Sequence, residues 1–220
     1  MKSMACIHTS LVSYDELNAL FKKRLPGVTV YNIIDESLLA EVKANGHVTP
    51  GVQQRMNTYY QNAASLGVDL IFNQCSSVAE AADIASQAIS TPILKVDWPM
   101  AQKAVELGKK IAVVATVSST MGPSVRNVER AAKEAGKDVE VIPYLVDGAL
   151  TVLMQEGGLE KHNQMVLGTV EKAAEECDVV VLAQGSMTVL LPLLGGIKKP
   201  VLTSPAMAVE RAREMLGIED

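Results

Sequence analysis

The chain has no excess of positive charge. Its 20 Lys and Arg stand against 25 Asp and Glu, for a net charge of −5. Neutralising nucleic-acid phosphates requires a basic patch, so nucleic acid is not expected as a partner. No apolar run approaches the roughly 18 residues of a membrane span, so no membrane partner is expected either. The start, MKSMACIHTS, lacks the apolar stretch and small-residue cleavage site of a secretory leader. Cysteine is scarce: Cys6, Cys75 and Cys177 form no pairing pattern, which fits a reducing compartment, and a cytoplasmic location is expected. Three cysteines and three histidines scattered singly make no structural zinc site. The phosphate loop G-x-x-x-x-G-K-[ST] and the dinucleotide fingerprint G-x-G-x-x-G are both absent, so nothing supports nucleotide binding. No metal or cofactor is expected.

What is present is a packed α/β chain. Of its 220 residues, 48% are hydrophobic and 20% charged, proportions that fit a folded interior and leave little room for long disorder. Short apolar runs flanked by polar or turn residues occupy 4–8, 28–34, 70–72, 93–96, 111–115, 139–143, 179–183 and 201–203. Strands buried on both faces have this texture. Helical stretches lie between them. Thr49-Pro50 supplies an N-cap and a preorganised first residue for a helix over 52–66 that stops at Gly67. Others are predicted over 124–135, stopping at Gly136, and over 159–177, dense in Ala and Glu. Strands alternating with helices imply parallel sheets.

The chain also repeats itself. Asp69 to Ser77 (DLIFNQCSS) matches Asp178 to Met187 (DVVVLAQGSM), which sets Gln74 against Gln184 and Cys75 against Gly185, 110 residues on. Ala5 to Thr9 resembles Ala112 to Thr116, and Met100-Ala101 resembles Met207-Ala208. A period above 100 residues is too long for a solenoid unit. It reads as an ancestral duplication: two similar parallel-sheet α/β halves related by a pseudo-two-fold, residues 1–97 with 206–220 and residues 98–205, with a cleft between them.

Ligands in open α/β sheets bind beyond the strand C-termini. The candidate site residues are therefore His8, Thr9 and Ser10; Gln74, Cys75, Ser76 and Ser77; Thr116, Ser118, Ser119 and Thr120; and Gln184, Gly185, Ser186 and Met187. Small hydroxyls, amides and backbone N–H groups at helix starts suit an anion. No Lys or Arg lies in these loops, so a small carboxylate fits better than a polyphosphate, and a second carboxylate on the ligand would lack its cation. Cys75 is the sharpest residue. At a strand end opening a helix, its thiol is expected to meet oriented N–H dipoles and to have a lowered pKa. The alternative, a small apolar filler, suits Cys6 and Cys177. Among the remaining residues, Asp97 reads as the N-cap of a helix opened by Trp98, His162 as a surface residue, His47 as a solvated loop residue, and Tyr144 as within reach of the cleft.

The two-half layout, Cys75-Ser76-Ser77, and the loop Ala115-Thr116-Val-Ser-Ser-Thr120 resemble the aspartate/glutamate/hydantoin racemase family. Asp178 to Met187 is similar to a subgroup whose second half ends in A-Q-x-S-M. The resemblance covers essentially the whole chain. It implies cofactor-independent chemistry in which two cysteines, one per half, move a proton at the carbon α to a carboxylate. It implies Cys75 as the first cysteine and Ser76, Ser77, Thr116, Ser118, Ser119 and Thr120 as carboxylate-holding residues. Proteins it resembles commonly pair their subunits, which leaves a homo-oligomer open. The chain departs from the pattern at the second cysteine, where the repeat puts Gly185; Cys177 lies eight residues earlier. His8, with a pKa suited to proton transfer, is the candidate partner of Cys75; its plainer reading is a capping or core histidine. Three functions stay open in this order: a racemase or other isomerase acting α to a carboxylate, on an amino acid or a hydantoin-like ring; a single-cysteine lyase resembling arylmalonate decarboxylase; and a carboxylate-binding protein without turnover.

Overall fold

A computed structural model describes residues 1–219, apart from the side chain of residue 150. The described chain forms two compact units, residues 1–96 with 205–220 and residues 97–204. Unit 1 runs β1 (Ser3–His8), α1 (Tyr14–Arg24), β2 (Thr29–Ile34), α2 (Glu36–Asn45), α3 (Pro50–Ser65), β3 (Leu70–Asn73), α4 (Ala79–Ala85) and β4 (Ile93–Lys95). Unit 2 runs α5 (Trp98–Leu107), β5 (Lys110–Ala115), α6 (Ser118–Glu134), β6 (Glu140–Leu145), α7 (Ala149–Leu153), α8 (Gly158–Glu176), β7 (Val179–Leu182) and β8 (Val201–Thr203). Helix α9 (Ser204–Leu216) follows and packs in the core of unit 1. All eight predicted strands are present.

Each unit holds one four-stranded parallel sheet, of order β2-β1-β3-β4 in unit 1 and β6-β5-β7-β8 in unit 2. The registers match as well: β1 pairs with β3 up to Ile7–Asn73, and β5 with β7 up to Val114–Leu182. An aspartate opens the third strand of each sheet. Asp69 accepts from the Ser3 N–H and the Lys2 ammonium, both at 2.9 Å, and Asp178 accepts from the Lys109 and Lys110 N–H groups at 3.1 and 3.0 Å. Close approach explains Gly108, where a Cβ would lie 2.5 Å from the Asp178 Cβ.

Alternation along the inner strands of unit 1 builds a core on both faces of the sheet. Ala5, Ile7 and Ile71 pack with Leu38, Val42, Met56 and Tyr60. Met4, Cys6, Leu70 and Phe72 pack with Leu17, Phe21, Val209 and Ala212. Each large side chain so buried contributes about 1.5–3 kcal/mol, and Phe21 meets Phe72 edge to face at 5.3 Å. In unit 2, Val114, Val180 and Leu182 pack with Val166, Val170, Ala173 and Leu190. The edge strands β2 and β6 are half exposed, and β6 tolerates Pro143 for that reason.

Helix starts account for most departures from expectation. Thr49 does cap α3, its hydroxyl accepting from the Val52 N–H at 3.1 Å ahead of Pro50. Helix α6 begins at Ser118, six residues before the predicted start, and carries Pro123 inside it. Proline removes one backbone hydrogen bond and crowds the carbonyl four residues earlier, that of Ser119, which lies in the first turn of the helix. Asp97 precedes α5 as expected, yet its side chain makes no capping hydrogen bond. His162 is buried on the inner face of α8 rather than at the surface. Among the described residues, no helix is long and apolar enough to cross a membrane.

Candidate active site

In unit 1 the C-terminal ends of β1 and β3 bring together His8, Thr9, Gln74 and the turn that follows. The register sets His8 at the last position of β1 and Asn73 at the end of β3. Gln74 donates its N–H to the Ile7 carbonyl at 3.1 Å and its amide to Ser13 Oγ at 2.6 Å. Gln74 Oε1 is buried without a partner among the described residues. Cys75 continues in extended conformation, φ −117° and ψ 120°, and caps a single 3₁₀ turn, Ser76–Val78, that leads into α4. Ser76 and Ser77 are buried, and Ser10 and Cys75 are partly exposed.

Two residues that sequence reasoning missed hold this turn. Asn73 donates its amide to the Cys75 carbonyl at 3.0 Å and accepts the Tyr60 hydroxyl at 3.0 Å. Both side chains are fully buried. An asparagine ending an otherwise apolar strand, two residues before the cysteine, was the available signal: a buried amide in such a run must have a partner.

The thiol does not have the expected lowered pKa. Burial pushes Cys75 up and outweighs the Thr9 hydroxyl, the Ser77 and Val78 N–H groups and the Ser77 hydroxyl, which pull down. The correction has a physical reason: the N–H groups at the start of the turn do pull the pKa down, but the thiol packs against the core of unit 1 and desolvation is the larger effect. Cys75 therefore rests as a thiol at neutral pH. His8 is fully buried. Burial lowers its pKa, against a hydrogen bond to Asn32 that raises it, so it rests as neutral imidazole. Its Nε2 lies 2.8 Å from Asn32 Oδ1, so the ring donates there. The lone pair is left on Nδ1, which is buried with no partner among the described residues. The ring packs edge-on against Tyr14 at 5.2 Å.

Unit 2 presents the corresponding strand ends with different side chains. The sheet register corrects the expected pairing of Cys75 with Gly185. Asn73 and Leu182 hold equivalent ladder positions, and the following N–H groups, of Gln74 and Ala183, bond the equivalent carbonyls of Ile7 and Val114. Cys75 therefore corresponds to Gln184, which likewise caps a 3₁₀ segment, Gly185–Leu193, at φ −119° and ψ 133°. The Gln184 amide is doubly engaged by Thr116: Oε1 accepts from the Thr116 N–H and Nε2 donates to Thr116 Oγ1, both at 2.8 Å. Thr116 corresponds to Thr9, and Ala115 stands where unit 1 has His8.

Ser118, Ser119 and Thr120 lie in the first turn of α6 rather than in a loop. The residue before them, Val117, provides no side-chain cap, so the 17-residue helix opens with backbone N–H groups that suit an anion. Ser119 Oγ is buried with no partner among the described residues. Gly185 is partly exposed and Ser186 exposed, whereas Met187 is buried and packed with Leu190 and Leu194. Tyr144 is likewise committed elsewhere. It donates to Glu176 at 2.6 Å, which, together with partial burial, raises its pKa. Trp98 stacks under Arg130 at 5.5 Å, and Cys6 and Cys177 are buried. Among the described residues, no three His, Cys, Asp or Glu side chains gather as metal ligands.

A parallel α/β unit with a hydroxyl- and amide-rich strand-end loop, occurring twice in one chain, defines a class of duplicated α/β proteins. The particular family follows from sequence. The Asp/Glu/hydantoin racemase family model matches residues 7–212, and the chain belongs to that family. No curated protein matches it by sequence. Solved structures share its fold. Glutamate racemase isoform RacE1 from Bacillus anthracis is 17% identical with a TM-score of 0.74, over 98% of this chain and 82% of that one. An aspartate racemase homologue from Pyrococcus horikoshii is 14% identical at 0.73, over 99% and 100%. A mutant of arylmalonate decarboxylase is 12% identical at 0.63, over 99% and 94%.

Proposed function

We propose that the protein is a cofactor-independent isomerase of the racemase type that moves a proton at the carbon α to the carboxylate of a small acid, with Cys75 as the proton-transferring thiol and His8 as its partner. The observation that carries this reading is the complementary resting state of the two groups. Cys75 rests as a thiol, able to give a proton, and His8 rests as neutral imidazole with a free Nδ1 lone pair, able to take one. Removing an α-proton from a carboxylate places a second negative charge on its oxygens, and fixed donors must stabilise it. Thr9, Ser10, Gln74, Ser76 and Ser77 in unit 1, and Thr116, Ser118, Ser119 and Thr120 with Gln184, Gly185 and Ser186 in unit 2, supply hydroxyl, amide and backbone donors for that purpose.

One observation favours a second reading, a lyase. Gln184 stands where the duplication would otherwise set a second thiol, and an amide does not transfer protons at neutral pH. A single thiol suffices to protonate the carbanion left when a carboxylate departs as carbon dioxide.

Proton NMR in deuterated water, with a panel of amino acids, hydantoins and substituted malonates, tests both. Loss of an α-proton signal from one compound, abolished by Cys75→Ser, is the expected result; chiral analysis of that compound then separates isomerase from lyase. No exchange with any compound would overturn the reading.

A further inference from the structure

The geometry points to Gln184 as a positioning residue that makes the Thr116 hydroxyl a committed donor to a bound carboxylate. This rests on the α-proton chemistry proposed above. A backbone N–H can only donate, so the Thr116 N–H fixes the amide orientation: the atom 2.8 Å away must be Oε1. It follows that Nε2, 2.8 Å from Thr116 Oγ1, donates to it. A hydroxyl that accepts from a neighbour keeps its own hydrogen for another acceptor. Gln184 thus uses both of its amide atoms to hold one threonine and orient its one remaining donor. Thr116 is partly exposed, so that donor is available to a ligand.

The equivalent threonine of unit 1 has no such amide clamp. Buried Thr9 is set against Cys75, where its hydroxyl pulls the thiol pKa down. Its oxygen has no hydrogen-bond partner among the described residues. One fold position therefore serves a proton-transferring thiol in unit 1 and, clamped by an amide, an anion in unit 2.

The distinguishing substitution is Gln184→Glu. A carboxylate has no hydrogen to give, so it would accept from both the Thr116 N–H and the Thr116 hydroxyl and draw the donor away from the ligand. Titration calorimetry with propionate and 2-phenylpropionate would compare wild type with T116V, T116S, Q184E and the T116V/Q184E double variant; thermal melts would confirm folding. A hydrogen bond to a charged group is worth enough that T116V and Q184E should each weaken binding roughly tenfold or more. T116S should stay near wild type. The double variant should be no weaker than either single one, because both remove the same donor. Wild-type affinity in T116V or Q184E, or additive losses in the double variant, would overturn the inference; if Cys75-dependent exchange were still seen, the α-proton chemistry would stand. Absence of carboxylate binding and of exchange in wild type would overturn both.

Discussion

Units 1 and 2 have the same strand order, the same register and the same aspartate at the start of the third strand. They differ at the strand ends: His8, Asn73, Gln74 and Cys75 in unit 1 stand where unit 2 has Ala115, Leu182, Ala183 and Gln184. The substitutions are coupled by chemistry. A partly buried thiol needs donors and a fixed carbonyl, which Thr9, Ser77 and the Tyr60–Asn73 pair provide. An amide at the same place supplies its own donor and acceptor, and the position of Asn73 is free to become apolar core as Leu182. A duplicated scaffold can thus assign titratable groups to one copy and neutral hydrogen bonding to the other without altering either sheet.

The largest expected effect removes what only unit 1 has. Cys75→Ser should lower α-proton exchange by about 10²- to 10⁴-fold, the usual worth of a positioned acid–base group, read by NMR in deuterated water. Next comes the thiol itself. Because burial raises its pKa, iodoacetamide labelling of Cys75, followed by peptide mass spectrometry, should be slow at pH 7. It should climb about tenfold per pH unit into the alkaline range, as the thiolate is the nucleophile. A plateau reached near neutrality would reverse the resting state assigned here.

Giving unit 1 the residue of unit 2, Asn73→Leu, leaves the Tyr60 hydroxyl buried without its acceptor and should cost about 1–3 kcal/mol in urea denaturation. Adding Tyr60→Phe should recover part of that loss. The smallest effect concerns His8. Its folded pKa is lowered, so the native state prefers neutral imidazole. The associated stability is fully present above the unfolded value of about 6.5 and is lost as pH falls through the folded pKa. Between pH 7.5 and 5.5 the wild type should lose no more than about 1.4 kcal/mol from this source, and His8→Phe should flatten that slope.

Much of the fold was legible because buried parallel strands leave continuous apolar runs, and all eight runs became strands. The duplication was legible in Asp69 and Asp178 and in the residues that follow them. Its register was not. One residue separates the pairing of Cys75 with Gly185 from that with Gln184, and only the backbone ladder decides it. The thiol's pKa was misjudged because sequence indicates a helix start but not the burial of the thiol against the core. His162 was misplaced because a polar residue in a charged helix gives no sign of the face it turns to the core. Tyr60 and Asn73 lie 13 residues apart in sequence, and their hydrogen bond exists only in the folded sheet.

The most direct test sets Cys75→Ser beside Gln184→Glu with the compound that wild type exchanges, measuring the saturated exchange rate and the affinity separately. Cys75→Ser is expected to lose the rate and keep the affinity, and Gln184→Glu to lose affinity together with a smaller part of the rate, because the Thr116 donor also faces the charge that develops on proton loss. A saturated rate that collapses in Gln184→Glu while its affinity is unchanged would place proton transfer in unit 2 and contradict the division of roles between the two copies.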